Sequence, residues 1–264
     1  ITDFGSNSGL TVEDNDFDDN GAHIDFDSGS VDAASLESSN NFATFVFDTT
    51  AKDDTFEDQV GDVIYGTVGG GITNVDSGGN FIQVRPGTYE ESGLTTESGS
   101  GANLVATGSA SETVLTTSAE ATILDIDGGR EVDGFTFAST TDSSDTDVTI
   151  TAGGAELSNS TFSGPGTEDR TAIAVSDDDA DPEVVNVTVS DYAVGITADS
   201  TGSNVVGIQD STVTDSDVGI EVQTALNNNG VEIVRNTIAD NTVGVDVADP
   251  TGGTIAANFN NLVN

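Results

Sequence analysis

In the second half of the chain a Thr or Asn followed by an apolar residue recurs every 24 to 27 residues, at Thr136-Phe137, Thr161-Phe162, Thr188-Val189, Thr212-Val213, Thr237-Ile238 and Asn261-Leu262. Downstream of most of these lies a second apolar pair spaced by one residue, often after a Gly: Val148/Ile150, Ile173/Val175, Ile196/Ala198, Ile220/Val222 and Val245/Val247. Alternation over so few residues is the pattern of a strand with one buried face. Each period is therefore read as two short strands. The first covers, for example, residues 131–137 or 231–238; a polar corner follows at Asp191, Asp215 or Asp240; the second strand opens at Gly195, Gly219 or Gly244. A period of this length with strands and no helical segment predicts a solenoid, because one turn cannot bury its apolar face alone and must stack on the next. The expected fold class is all-β, a parallel β-helix of about 24-residue turns stacked at about 4.8 Å per turn.

Residues 62–115 carry a different pattern. The run Ile82-x-Val84-x-Pro86-Gly87-Thr88-Tyr89-x-Glu91, followed by Leu104-Val105-Ala106-Thr107-Gly108 and Thr113-Val114-Leu115, resembles the opening turns of pectin-lyase-like, right-handed parallel β-helix proteins. Later periods such as Arg235-Asn236-Thr237-Ile238-Ala239-Asp240-Asn241 are similar to the repeats of the carbohydrate-binding and sugar-hydrolase (CASH) group. The resemblance covers about residues 62–264 and implies the fold; the same scaffold carries lyases, hydrolases, esterases, adhesins and phage spikes, so it does not convey one activity.

The first residues contain one more copy of the repeat. Residues 9–25 align without gaps on residues 230–246, placing Asn15 on Asn236, Phe17 on Ile238, Asp19 on Asp240, Asn20 on Asn241 and Ile24 on Val245. The organisation read from this is a β-helix turn with capping or edge strands over residues 1–50, in which Phe42, Phe45 and Phe47 finish the turn, an acidic linker over 51–61, and a parallel β-helix over 62–264. Residue 1 is not a Met, and the chain is read as a mature product, a fragment or part of something larger. Either it is excised from a protein with tandem β-helices, or its N-terminal turn stacks on the open C-terminal end of a neighbouring copy. The second arrangement does not close on itself and builds a filament.

Charge narrows the partners. The chain has 47 acidic residues against 5 basic ones, a formal net charge of −42, and Lys52 is the only lysine. Self-repulsion of this size opposes compaction in dilute buffer, whereas concentrated salt screens it over about 3 Å at 1 M. An Asp-rich, Lys-poor balance resembles proteins of salt-accumulating halophiles, haloarchaea above all, and most of the acids are then solvent dressing. Nucleic acid and anionic lipid are poor partners, since neutralising phosphate needs Lys and Arg. Only 34% of residues are hydrophobic, which a thin solenoid core tolerates; the regular apolar pairs argue against disorder. Cysteine is absent, which removes disulfides, thiolate metal sites and a Cys nucleophile. No apolar run reaches the ~20 residues of a helical membrane span, and no signal peptide is expected in this segment.

Candidate chemistry is sparse. Asp16, Asp18 and Asn20 before Gly21, with Asp27 at the twelfth place, resemble a calcium loop, in which oxygen ligands alternate around a Gly turn; His23 at the eighth place and the core assignments of Phe17 and Ile24 depart from that pattern. The densest acidic loop, Asp177, Asp178, Asp179 and Asp181, is the other candidate site for calcium. A polysaccharide hydrolase needs convergent carboxylates, but the Asn-Thr-Asp and Gly-His-Gly signatures of polygalacturonases are missing and the sole histidine, His23, lies in the first segment. A lyase needs a basic residue beside a neutralising cation, for which Arg130, Arg170 and Arg235 are candidates, each equally placed to be an ion-pair partner. Gly87-x-Tyr89-x-Glu91 is similar to the first conserved block of pectin methylesterases, and Gln209-Asp210 to another, but their Asp-Phe-Ile-Phe-Gly block is absent; a structural role for Tyr89 and Glu91 is favoured. No catalytic set is assigned. Asn159-Ser160-Thr161 and Asn186-Val187-Thr188 are N-glycosylation sequons.

These readings lead to a secreted or cell-surface structural β-helix of a halophile, an adhesin, stalk, sheath or filament subunit, whose partners are further copies of itself, other cell-surface proteins or polysaccharide. The alternative is a carbohydrate-active enzyme or carbohydrate-binding module, a polysaccharide lyase or hydrolase, although Trp is absent and Tyr numbers only 3, which leaves few aromatic platforms for sugar.

Overall fold

A computed structural model describes residues 12–17, 22–25, 36, 38–49, 63–75, 80–97, 101–141, 144–151, 153–166, 169–177, 181–200, 205–225, 230–248 and 254–263. From residue 80 onward the chain is a parallel β-solenoid of about seven turns, roughly 25 residues apart. Three sheets run the length of the rod. Sheet I has eleven strands and in the solenoid runs from Asn80–Val84 to Ile255–Asn258; sheet II has eight, from Gly87–Glu90 to Asn261–Val263; sheet III has seven, from Leu94–Thr95 to Val243–Val247.

Both sequence columns are in register. Thr136-Phe137 pairs with Thr161-Phe162, and the column continues through Thr188-Val189, Thr212-Val213 and Thr237-Ile238 to Asn261-Leu262 in sheet II. Val148/Ile150 stack in sheet III on Ile173/Val175, Ile196/Ala198, Ile220/Val222 and Val245/Val247. Their inward members form the main core; Phe137 and Phe162 stack with ring centroids 4.8 Å apart. The glycines that open sheet III are required by close approach: a β-carbon on Gly195 would lie 2.6 Å from the Gly219 carbonyl oxygen, and one on Gly219 would lie 2.6 Å from that of Gly244.

Each turn has three strands, where the sequence pattern suggests two. The stretch read as one strand over 131–137 is Glu131–Asp133 in sheet I and Thr136–Ser139 in sheet II, split at Gly134. The residues at this corner all adopt the left-handed conformation: Gly134, Asn159, Asn186, Asp210, Arg235 and Phe259, with φ between 50° and 87°. That conformation swings the chain from one sheet to the next within a single residue, which Gly, Asn and Asp tolerate best. The second corner is left-handed at Asp191, Asp215 and Asp240, the positions expected to be polar corners.

The N-terminal residues build a second apolar cluster against antiparallel strands at the end of sheet I. Asp16–Phe17 pairs in parallel with Asn41–Phe42, 25 residues on, as a two-stranded sheet of its own. Asn15 bonds to Asn40 as Asn236 bonds to Asn260, but in a separate sheet, and Phe17 belongs to a second cluster while Ile238 belongs to the main core. Ile24 does not follow Val245: Ala22–Asp25 runs antiparallel to Val63–Tyr65 at the edge of sheet I, not in sheet III, because Ile64 supplies its partner. Val46–Thr49 runs antiparallel to Asn80–Val84. Val46 and Tyr65 face the main core, while Phe45, Phe47 and Ile64 face a second cluster with Phe17, Ile24 and Leu36. These strands are buried on both faces, so Phe45 and Phe47 join the first turn to the rod.

Candidate functional site: the corners and ends of the rod

At the N-terminal end of the solenoid the motif residues of the Pro-Gly-Thr-Tyr-x-Glu run have structural partners. The helix Val68–Asn74 is capped by Thr67, whose hydroxyl accepts from the Gly70 N–H, and by Glu91, whose Oε1 and Oε2 accept from the N–H groups of Val68 (2.6 Å) and Gly69 (2.9 Å). Burial pushes the Glu91 carboxyl above the usual glutamate range, against the pull of those two N–H groups. The Tyr89 hydroxyl, buried, accepts from the Phe45 N–H at 3.2 Å and donates to the Arg85 carbonyl at 2.9 Å. Both residues thereby bind preceding strands and helix to the first full turn. A shallow depression between this helix and Leu94–Thr95, lined by Gly69, Ile72, Thr73, Gly93, Leu94 and Thr95, has no charged lining.

Each arginine considered as a base is in an ion pair. Arg130 lies 3.2 Å from Glu97, and exposed Arg235 forms a two-pronged pair with Asp210 (2.7 and 2.6 Å) while also donating to Gln209 at 3.2 Å. Asp210 is thereby held below, and Arg235 above, its ordinary range. Arg170 is fully buried with Asp147: its Nε donates to Oδ1 at 2.6 Å and its Nη2 to the Ala121 carbonyl at 2.9 Å, while the Tyr192 hydroxyl donates to Oδ2 at 2.5 Å. Burial pushes the Asp147 carboxyl up despite the hydrogen bond from Tyr192 and the Arg170 charge, and pushes the Tyr192 hydroxyl well above its usual range. A triad so enclosed clamps four successive turns at one corner and presents no atom to a substrate. Sequence reasoning missed it, since Asp147 and Tyr192 become neighbours of Arg170 only through the turn spacing.

Of the residues proposed for calcium, Asp18, Asn20, Asp27, Asp178 and Asp179 lie outside the described residues. Asp16 is exposed and accepts from the Asn41 side chain at 2.8 Å; Asp181 accepts from the Val205 N–H at 2.7 Å. The backbone of Asp177 pairs with Ser200, next to Asp199, whose Oδ1 is buried with no hydrogen-bond partner among the described residues. Among the described residues no group of three or more His, Asp or Glu is arranged to hold a metal ion. His23 is buried, its Nε2 2.9 Å from the Thr44 carbonyl oxygen. Asn159 and Asn186 are exposed on consecutive left-handed corners, where Asn186 donates to Asn159 Oδ1 at 2.7 Å and Asn159 to Asp133 Oδ1 at 2.5 Å.

Inside that corner runs a ladder of polar side chains, each accepting a backbone N–H from the turn before it. Ser160 accepts from Phe135, Ser211 from Val187, Asn236 from Ser211 (2.9 Å) and Asn260 from Asn236 (2.9 Å). The two asparagines also donate back, Asn236 to the Ile208 carbonyl at 2.9 Å and Asn260 to that of Ile233 at 2.7 Å, each three residues before the N–H it satisfies. The N-terminal turn repeats this geometry. Asn40 accepts from the Asn15 N–H at 3.1 Å and donates to the Val12 carbonyl at 2.9 Å, and Asn41 N–H reaches the Asn15 carbonyl as Asn261 N–H reaches that of Asn236, both at 2.8 Å.

The last turn exposes what earlier turns bury. Leu262 is 63% exposed, whereas Ile238 beneath it is 1% exposed; Phe259 is 88% exposed, and Val243, Val247 and Val263 are also open. No helix among the described residues is long and apolar enough to cross a membrane. No protein-family model matches the chain, and neither a curated protein nor a solved structure does.

Proposed function

We propose that this chain is a structural β-helix subunit, working outside the cell or on its surface in concentrated salt as part of a stalk, sheath, adhesin or filament, in which copies stack end to end. The observation that carries this reading is the rod itself: three parallel sheets stacked in register along its length, with Arg130, Arg170, Arg235 and Glu91 each bonded within it. An apolar, hydrogen-bond-ready solenoid end is a template for another turn. A turn of about 25 residues is also the size of one side of a standard protein interface. The acidic balance supports a salt-rich setting, and the exposed sequon residues Asn159 and Asn186 support export.

Electron-microscope imaging of the purified chain in molar KCl, with and without a calcium chelator, tests this. Rods whose lengths step by one subunit are expected, and monomers alone under every salt condition would overturn the stacking role. Loss of the rods with the chelator would add calcium to the acidic loops.

A second reading, a carbohydrate-active or carbohydrate-binding module, rests on Glu131, Glu156 and Glu183. They stack in register on consecutive strands of sheet I, at a spacing of about 4.8 Å that is near the separation of about 5–5.5 Å used by retaining glycosidases. Release of reducing ends from acidic polysaccharides, lost in Glu156→Gln, would favour it over the structural role.

A further inference from the structure

The corner between sheets I and II holds both sequon asparagines, on consecutive turns and open to solvent. We infer that Asn186 is the acceptor of an N-linked glycan, while Asn159, one turn away, keeps its amide for hydrogen bonding. This rests on the reading above that the chain works outside the cell. It adds the modified atom, Asn186 Nδ2, and the class of ligand, an oligosaccharide delivered on a lipid phosphate carrier.

The repeat itself builds the motif. The second residue after this corner is Thr136, Thr161, Thr188, Thr212 or Thr237, the opening residue of its strand in sheet II. An Asn at the corner therefore completes Asn-x-Thr, the acceptor pattern for N-linked sugar. Asn fills the corner at 159 and 186, whereas other turns place Gly134, Asp210, Arg235 and Phe259 there. The backbone is left-handed at both, with φ of 50° and 53°. The residue between Asn and Thr, Ser160 or Val187, is buried, so the amide and the hydroxyl stand on either side of one inward-facing residue.

Two observations separate the sites. The Asn159 amide is engaged at both ends, accepting from Asn186 and donating to the Asp133 carboxylate at 2.5 Å, and a bond to a charged acceptor is stronger than a neutral one. Asn186 stands at the open end of this chain of bonds. Among the described residues its side chain makes one hydrogen bond, the donation to Asn159 at 2.7 Å, which leaves one of its two amide hydrogens over; Asp210 on the next corner is held by Arg235 instead. The hydroxyls differ as well: Thr188 is exposed, whereas Thr161 is half-buried between Thr136 and Thr188. In the transfer, Asn186 Nδ2 attacks the anomeric carbon of the carried sugar. The new N–C bond forms as the bond from that carbon to the carrier phosphate breaks, the phosphate leaves with the electron pair, and one amide proton is lost. One amide hydrogen remains for the bond to Asn159. The corner lies on the flank of the rod, so a glycan there leaves the stacking direction open.

The test incubates the folded full chain with an oligosaccharyltransferase and a lipid-linked oligosaccharide, beside a short Asn-x-Thr peptide as control acceptor, and maps the added mass to peptides. One glycan per chain is expected, on Asn186. It should be lost in Asn186→Gln and in Thr188→Ala, regained in Thr188→Ser, and unchanged in Asn159→Gln. Asn186 and Thr188 are both exposed, so equal melting temperatures of these variants are expected to exclude misfolding as the cause of any loss. A bare chain beside a modified control peptide, or transfer to Asn159 equal to that on Asn186, would overturn the assignment. Its failure is distinct from failure of the reading it rests on. Rods from a chain that accepts no glycan would overturn the acceptor alone, and a chain that accepts the glycan yet is found inside its source cells would overturn the extracellular reading alone.

Discussion

Arg170 and Asp147 are both fully buried, and what holds their charges in the interior is mutual compensation plus the Tyr192 hydroxyl and the Ala121 carbonyl. Such a pair adds little over an apolar substitute, but breaking it strands a charge. Arg170→Met is therefore expected to cost about 3–5 kcal/mol and Tyr192→Phe about 1–3 kcal/mol, measured by denaturant unfolding in molar KCl. The double variant should lose less than the sum, since both residues serve one carboxylate; an additive result would contradict the shared clamp. Glu91 gives a pH signature. Because burial raises its folded-state pKa, the native chain binds this proton more tightly than the unfolded chain, so stability rises as pH falls through the interval just above the usual glutamate range and is lost again as pH climbs back. The melting temperature of the wild type relative to Glu91→Gln should accordingly increase on acidification through that interval; a flat difference would show that the carboxylate is not desolvated.

Among the elements, the turn corners govern how much of the fold the sequence discloses. The Thr-apolar and Gly-apolar columns were legible because inward positions must match from turn to turn, which sets the register. The third strand was not, because the corner that splits residues 131–137 is Arg at 235 and Phe at 259, types that give no left-handed signal; only Gly134, Asn159, Asn186 and Asp210 betray it. Ile24 was misplaced since its antiparallel partner, Ile64, lies far off in sequence and belongs to no repeat. The likeness of the Asn15 and Asn236 bonds was legible in the alignment, but the separate two-stranded sheet that holds Asp16–Phe17 was not. The acidic loops drew notice through composition alone, and most of them fall outside the described residues. The ladder has its own energetic test. Asn236→Ala removes the acceptor of the buried Ser211 N–H and should cost about 1–3 kcal/mol, more than Asn260→Ala, whose site is half open to solvent; equal losses in unfolding experiments would mean that the ladder bonds carry no weight.

For the whole molecule, the thin core and the charge act against each other. Self-repulsion weakens as salt is added, and each kcal/mol so recovered moves the melting temperature of a domain of this size by about 2–4 °C. A melting temperature that rises steadily with KCl is expected; one independent of salt would show that the acids do not strain the fold. The same screening would act on the proposed end-to-end assembly, which brings together two copies of formal charge −42. The most direct measurement is sedimentation velocity of the wild type and of Leu262→Asp over a range of concentrations in molar KCl. Leu262 is largely exposed in a single copy, so the substitution should leave the melting temperature nearly unchanged while placing a charge in the stacking face. The wild type is expected to form an open series of species that grows with concentration, and Leu262→Asp to remain a monomer. A wild type that sediments as a single monomer at every concentration, or a Leu262→Asp variant that associates equally well, would contradict the account.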